Sequence, residues 1–162
     1  MKTPLIINQA LLDGVSLEAR ASARQRKNRN LHGSDADAAH RLLNAIEPTS
    51  YIMPHRHLDP SKDETMIVLR GQLGVVFFDA DGAVTQSAVL APDTACGVNI
   101  PHGVYHTVFA CVPGTVFFEA KAGPYLPLGD AERAAWAPGE GDPAAPAYAR
   151  ALRELLDTSN AR

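Results

Sequence analysis

Three histidines and a glutamate in the middle of the chain have the types and spacing of a metal cage: His55, His57, Glu64 and His106. Side chains on an extended segment alternate between two faces, so His55 and His57 offer two imidazoles on one side while Arg56 points to the other. Glu64 opens an alternating apolar run to Arg70, which reads as a half-buried strand with Glu64, Met66, Val68 and Arg70 on one face. His106 follows the turn signal Pro101-His102-Gly103 and leads into the strand His106 to Phe109. Three imidazoles and a carboxylate suit a divalent first-row metal: iron, manganese, nickel, cobalt, copper or zinc. A five- or six-coordinate ion held by four protein ligands keeps one or two positions open, as catalysis requires. Asp59 and Asp63, lying between His57 and Glu64, are alternative sources of the carboxylate.

Parity along the neighbouring segments nominates further residues. Glu119 and Lys121 share a strand face with Phe117; turned inward, they place a carboxylate and an ammonium near the metal, where burial tunes proton transfer. Turned outward, they form a salt-bridged exposed face, and the sequence leaves both readings open. Tyr51 lies an even interval before His55 and His57 and is a third candidate for moving a proton. Arg41, Arg56 and Arg70 are candidates for substrate binding, because a planar guanidinium meets two oxygens of an anion at once. The basic run Arg20, Arg24, Arg26, Lys27 and Arg29 reads first as a solvated helix face, and alternatively as part of such a clamp. His32 and His40 are not at metal spacing, although His32 reaches the pocket mouth if the N-terminal segment folds over it, and His102 reads as a loop residue in the turn before His106.

The elements that must position these residues fall into three stretches. Residues 1–47 read as a mostly helical extension, with Ser16 capping a helix from Leu17 to Lys27 and Asp35 capping a second from about Ala36 to Ile46. Residues 48–126 hold short strands: Ser50–Pro54, Glu64–Arg70, Leu73–Phe78, Val84–Leu90, Ala95–Ile100, His106–Phe109 and Val116–Lys121. Asp79-Ala80-Asp81-Gly82 marks a tight turn, and many short strands with such punctuation argue for a small sandwich or barrel. Residues 127–162 read as a loop around Ala137–Pro143 and a helix with Tyr148, Leu152, Leu155 and Leu156 on one stripe. The whole is expected to be a single domain.

These residues resemble the two motifs of the cupin superfamily. The first is His-x-His, a short gap, Glu, six residues and Gly, which stands here as His55-Arg56-His57, Glu64 and Gly71. The gap between His57 and Glu64 is longer than usual. The second is Pro-x-Gly-x-x-His, here Pro101 to His106, with Ala110 where the family has Asn. Asn30-Leu31-His32, Arg41-Leu42-Leu43-Asn44, Met53 to His57, Lys62 to Thr65 and Phe118 to Tyr125 are together similar to the WbuC-type cupin-fold metalloproteins of bacterial O-antigen and polysaccharide gene clusters. The resemblance implies a mainly β, cupin-type jelly-roll β-barrel with N-terminal and C-terminal helical segments, and a divalent metal on His55, His57, Glu64 and His106. It implies no substrate, because one fold hosts many functions.

Composition narrows the classes. Of 162 residues, 46% are hydrophobic and 20% charged, the values of an ordinary soluble protein. A formal net charge of -3 gives no general drive toward nucleic acid, and no apolar run approaches the ~20 residues of a membrane span. The short apolar stretch near the start does not have the form of a signal peptide, so a cytoplasmic location is expected, with Cys96 and Cys111 as buried thiols. The leading expectation is a metal-dependent isomerase or epimerase acting on a sugar or sugar nucleotide. An iron-dependent dioxygenase and a non-catalytic sugar-binding or regulatory module are the alternatives. The expected partners are a small-molecule substrate and a second copy in a homodimer, since pairing buries open edge strands.

Overall fold

Strands form in six of the seven stretches that read as strands, and also in the N-terminal region where the sequence reads as helix. The structure, a computed structural model, describes residues 3–159. In chain order it contains α1 (Gln9–Ala21), β1 (Arg26–Asn30), β2 (Ala39–Ile46), β3 (Glu64–Arg70), β4 (Leu73–Phe78), β5 (Val84–Leu90), β6 (Gly97–Ile100), β7 (Tyr105–Ala110), β8 (Thr115–Ala122), a 3-10 turn (Asp130–Glu132) and α2 (Ala145–Ser159). A five-stranded sheet has the order β1-β2-β8-β3-β6 and a three-stranded sheet the order β5-β4-β7. Every pairing is antiparallel.

Ile46, Met66, Val68 and Phe117 of the larger sheet pack against Leu73, Val75, Phe77 and Val108 of the smaller, forming the main core. This is the mostly β, jelly-roll-like architecture with helices at both ends that the sequence implies. The two sheets do not close into a barrel, however: among the described strands, β5 hydrogen-bonds only to β4 and β6 only to β3.

The N-terminal region departs most from expectation. The first helix begins at Gln9, capped by the Asn8 side chain, which accepts from Leu11 N at 3.0 Å. Ser16 therefore lies inside α1, buried, where its hydroxyl accepts from Arg70. The expected second helix is instead β2, with β1 beside it. Ala, Leu and Arg are good helix formers, but β2 buries both faces, and that tertiary gain outweighs a per-residue propensity of a few tenths of a kcal/mol. Its odd residues Leu43 and Ala45 meet Leu12, Val15 and Ala19 of α1. Its even residues turn toward the space between the sheets.

Ser50–Pro54 forms no strand, although His55 makes an isolated bridge to His106. Cys96 and Cys111 are exposed rather than buried. In the Asp79 to Gly82 turn, the Asp79 carboxylate accepts from the backbone of Asp81 and Ala83. Gly71 ends β3 at φ +80, and a Cβ there would lie 2.5 Å from the Thr115 hydroxyl, so the six-residue spacing from Glu64 ends where only glycine fits. The α2 stripe seats Leu152 and Leu156 in a cluster with Val76, Phe78 and Phe109, while Leu155 is exposed.

Candidate metal centre

Reciprocal backbone hydrogen bonds, His55 N to His106 O at 3.0 Å and His106 N to His55 O at 2.8 Å, hold two of the imidazoles side by side. Each ring then aims its Nδ1 at the carbonyl two residues earlier: His55 at Met53 O, 3.1 Å, and His106 at Val104 O, 2.9 Å. A carbonyl only accepts, so these contacts put the proton on Nδ1 and leave Nε2 as the ligating nitrogen. Glu64, at the start of β3 and 2% exposed, reaches into the group. Its Oε1 lies 3.0 Å from His57 Nε2, and its Oε2 lies 3.1 Å from His106 Nε2. Ligand atoms of His55, His57 and Glu64 all lie within 4.8 Å of one another. His106 joins them through the second oxygen of the glutamate.

A neutral imidazole has one N–H, yet both nitrogens of His106 face acceptors. With the proton on Nδ1, its Nε2 and Glu64 Oε2 are two lone-pair donors facing each other, an arrangement a divalent cation completes. Burial pushes His55 down to about 3, further depressed by His106, so this ring is neutral, the form that binds metal. Burial opposes ionisation of Glu64, but the surrounding His106 and His57 rings and the Lys121 charge outweigh it and hold the carboxyl well below the usual range. The donor set thus fits a divalent ion. Asp63 instead accepts from His102, and Asp59 from Ser61, both at the surface.

Strand register supplies the remaining polar groups. Lys121 sits directly opposite both Glu64 of β3 and His40 of β2, and Glu119 opposite Met66 and Leu42. Both β8 residues face inward. Lys121 Nζ donates to Glu64 Oε1 at 2.7 Å and Glu119 Oε1 at 2.8 Å. Burial disfavours the Lys121 charge, but Glu119 and Glu64 outweigh it and raise its pKa, so it stays an ammonium. Burial raises Glu119, with Lys121 opposing. Asn44, which sequence reasoning missed, donates to Glu119 Oε2 at 2.6 Å. Read as a strand, 39–46 would have placed His40, Leu42 and Asn44 on one face and found it.

A cavity of about 590 Å³ opens from this cluster between the sheets, lined in part by His55, Glu64, His106, Glu119, Lys121 and Asn44. The other nominated residues lie elsewhere. The Tyr51 hydroxyl donates to Pro138 O at 2.7 Å, and its ring stands edge-on to Tyr148. Arg70 is spent on α1, donating to Leu12 O, Ser16 and Asp13. Arg56 lies over the Tyr105 ring and donates to Ala131 O. Arg41 points from the exposed side of β2. None of these four residues lines the cavity, because each has the parity or anchoring of the outer surface.

Sequence comparison matches residues 7–90 to a family described as a domain of unknown function, DUF6016. The chain belongs to that family. No curated protein matches the sequence. In structure the chain is similar to a cupin 2 domain-containing protein from Halorhodospira halophila, at 20% identity and TM-score 0.51 over 81% of this chain and 82% of that one. It is also similar to the conserved SPY1581 protein of unknown function from Streptococcus pyogenes, at 11% identity and TM-score 0.52 over 78% and 93%. These likenesses show the cupin fold. Among the described residues no helix is long and apolar enough to cross a membrane.

Proposed function

We propose that this protein is a metal-dependent enzyme that moves a proton on a small polar substrate, a sugar or activated sugar, in an isomerisation or epimerisation. The metal is held by His55, His57, Glu64 and His106. The motif resemblance to WbuC-type proteins supports the carbohydrate assignment. The observation that carries the reading is the Glu119–Lys121 pair, one hydrogen bond from Glu64 and facing the cavity. A divalent ion in such a site polarises a substrate oxygen and acidifies the adjacent C–H. Glu119 accepts a proton most readily when its pKa is raised toward the working pH, which burial favours. Lys121 holds that carboxylate in place and supplies positive charge at the inner wall. Asn44 fixes the second oxygen, so the carboxylate cannot rotate away.

Protein prepared without chelators or affinity nickel should carry close to one divalent ion per chain, and should exchange solvent deuterium into candidate ketoses or aldoses. Glu119→Gln should keep the metal and lose the exchange by roughly 10²–10⁴-fold. Equal exchange by wild type and this variant would remove Glu119 from the chemistry. Metal-loaded protein showing no exchange with any sugar would remove the reaction class.

A further inference from the structure

Beyond Arg20, in the last turn of α1, the basic run that reads as a helix face in the sequence is neither helical nor uniformly solvated. The chain turns at Gln25, with φ 54, and enters β1, which brings Arg24 and Arg26 to the wall of the cavity that reaches His55, Glu64 and His106. Arg26 is held firmly: its Nη1 donates to Ser50 Oγ at 3.2 Å and Tyr51 O at 2.9 Å, and its side chain is only 16% exposed. Those partners are neutral, so they orient the guanidinium without balancing its charge.

The balancing anion is Glu140, from the loop that precedes α2. Its Oε1 accepts from Arg26 Nη2 at 2.5 Å, while Arg24 meets its two oxygens through Nε at 3.2 Å and Nη2 at 2.9 and 3.2 Å. One carboxylate therefore occupies two guanidiniums in the forked geometry that also fits phosphate. Two guanidiniums stand here against this single anion, while Lys27, opposite Ala45, belongs to the face of the sheet that meets α1. Burial pushes Arg26 down, Glu140 pushes it back up and Arg24 down again, the signature of a cation that needs its counter-charge.

We propose that Arg24 and Arg26 form an oxyanion subsite for the phosphate or carboxylate of a substrate whose other end lies at the His/Glu cluster, and that Glu140 occupies it when no substrate is bound. This rests on the reading of the cavity as a substrate site. Binding then exchanges one anion for another on the same guanidiniums and frees the loop that carries Glu140.

The test uses the metal-stripped full chain and two probes titrated separately, inorganic phosphate and malonate, followed by calorimetry. Glu140→Ala should bind the favoured probe roughly fivefold more tightly than wild type, the effect expected for removing a competing exposed ion pair. Arg24→Ala in that background should lose the gain; Arg24 is 65% exposed, so the substitution spares the fold. A gain with phosphate alone assigns a phosphorylated substrate, and a gain with malonate alone a carboxylate. A folded Glu140→Ala protein with no gain for either probe overturns the subsite and leaves the pair as a tether for the loop. Metal content, measured on separate unstripped preparations, keeps the two ideas apart. A chain that binds no metal but shows the gain sinks the metal centre alone. A chain that binds metal but shows no gain sinks the subsite alone.

Discussion

The two faces of the five-stranded sheet come from the same strands and do opposite jobs. Outward, Leu43 and Ala45 of β2, Val116 and Phe118 of β8 and Leu69 of β3 meet α1 and form an apolar cluster. Inward, the alternate residues include His40 and Asn44, Glu119 and Lys121, and Glu64. In most small sheets the inner face is the apolar one and the outer face meets water. Here α1 gives the outer face a core of its own, so the inner face can hold charge beside the main core residues Ile46, Met66, Val68 and Phe117. Each Leu or Val fully buried under α1 contributes about 1.5–3 kcal/mol, stability that does not depend on the cavity wall being apolar.

The sharpest way to break this comparison is to remove the one inner residue on which the others depend. Glu64→Ala leaves the Lys121 ammonium with one carboxylate fewer and two imidazoles facing nothing, so metal-free protein should lose roughly 3–5 kcal/mol in urea unfolding. Metal binding should vanish as well. A loss below about 1 kcal/mol would mean that water already solvates the cluster and that the inner face is merely wet surface.

On the outer face the expected cost is similar but the functional consequence differs. Leu43 is fully buried, and Leu43→Ala should cost about 2–5 kcal/mol by opening a cavity under α1. Metal content per folded chain should stay unchanged. Loss of metal from the folded variant would show that the two faces are coupled through β2.

Acid should also separate the faces. His55 is held near 3 in the folded chain against about 6.5 unfolded, so between those values the unfolded chain binds a proton that the folded chain does not. Its contribution is fully present above pH 6.5 and is lost as pH falls toward 3. Glu64, depressed when folded, adds to the loss below the ordinary carboxylate range. His55 keeps part of its surface exposed, so metal-free protein should lose on the order of 2–3 kcal/mol between pH 7 and 4, less than the full shift implies. His55→Gln should flatten that slope, whereas Leu43→Ala should lower the whole curve without changing it.

How far each face was legible in the sequence follows the same division. The strand that carries Glu64 and the two that follow it have the expected bounds: β3 alternates, and β4, buried on both faces, is marked by its Val and Phe composition between turn signals. The motifs brought His55, His57, Glu64 and His106 together, since each is a short-range signal tied to a turn. What failed was β2: with Leu42, Leu43, Ala45 and Ile46 all buried, alternation is lost and the helix-forming composition misleads. Missing β2 hid Asn44, and missing β1 hid the placement of Arg24 and Arg26. Arg70 misled for a different reason. Its alternation in the sequence is inward, but a register shift between Val68 and Arg70 sets it opposite Val116 on the outer face, where Ser16 and the Leu12 carbonyl receive it.

The smallest effect concerns a residue that parity placed in the cavity and the fold does not. Tyr51 spends its hydroxyl on Pro138 O, in the loop that also carries Glu140, and burial raises its pKa. Tyr51→Phe removes one partly buried hydrogen bond to a carbonyl that solvent can reach in its place, so it should cost about 1 kcal/mol. Deuterium exchange into substrate should be unchanged in this variant, because the ring touches neither the His/Glu cluster nor Glu119. A drop in exchange comparable to that of Glu119→Gln would return the phenol to the chemistry. A tighter phosphate affinity with exchange intact would instead show that the Tyr51 contact helps keep Glu140 seated on its two arginines.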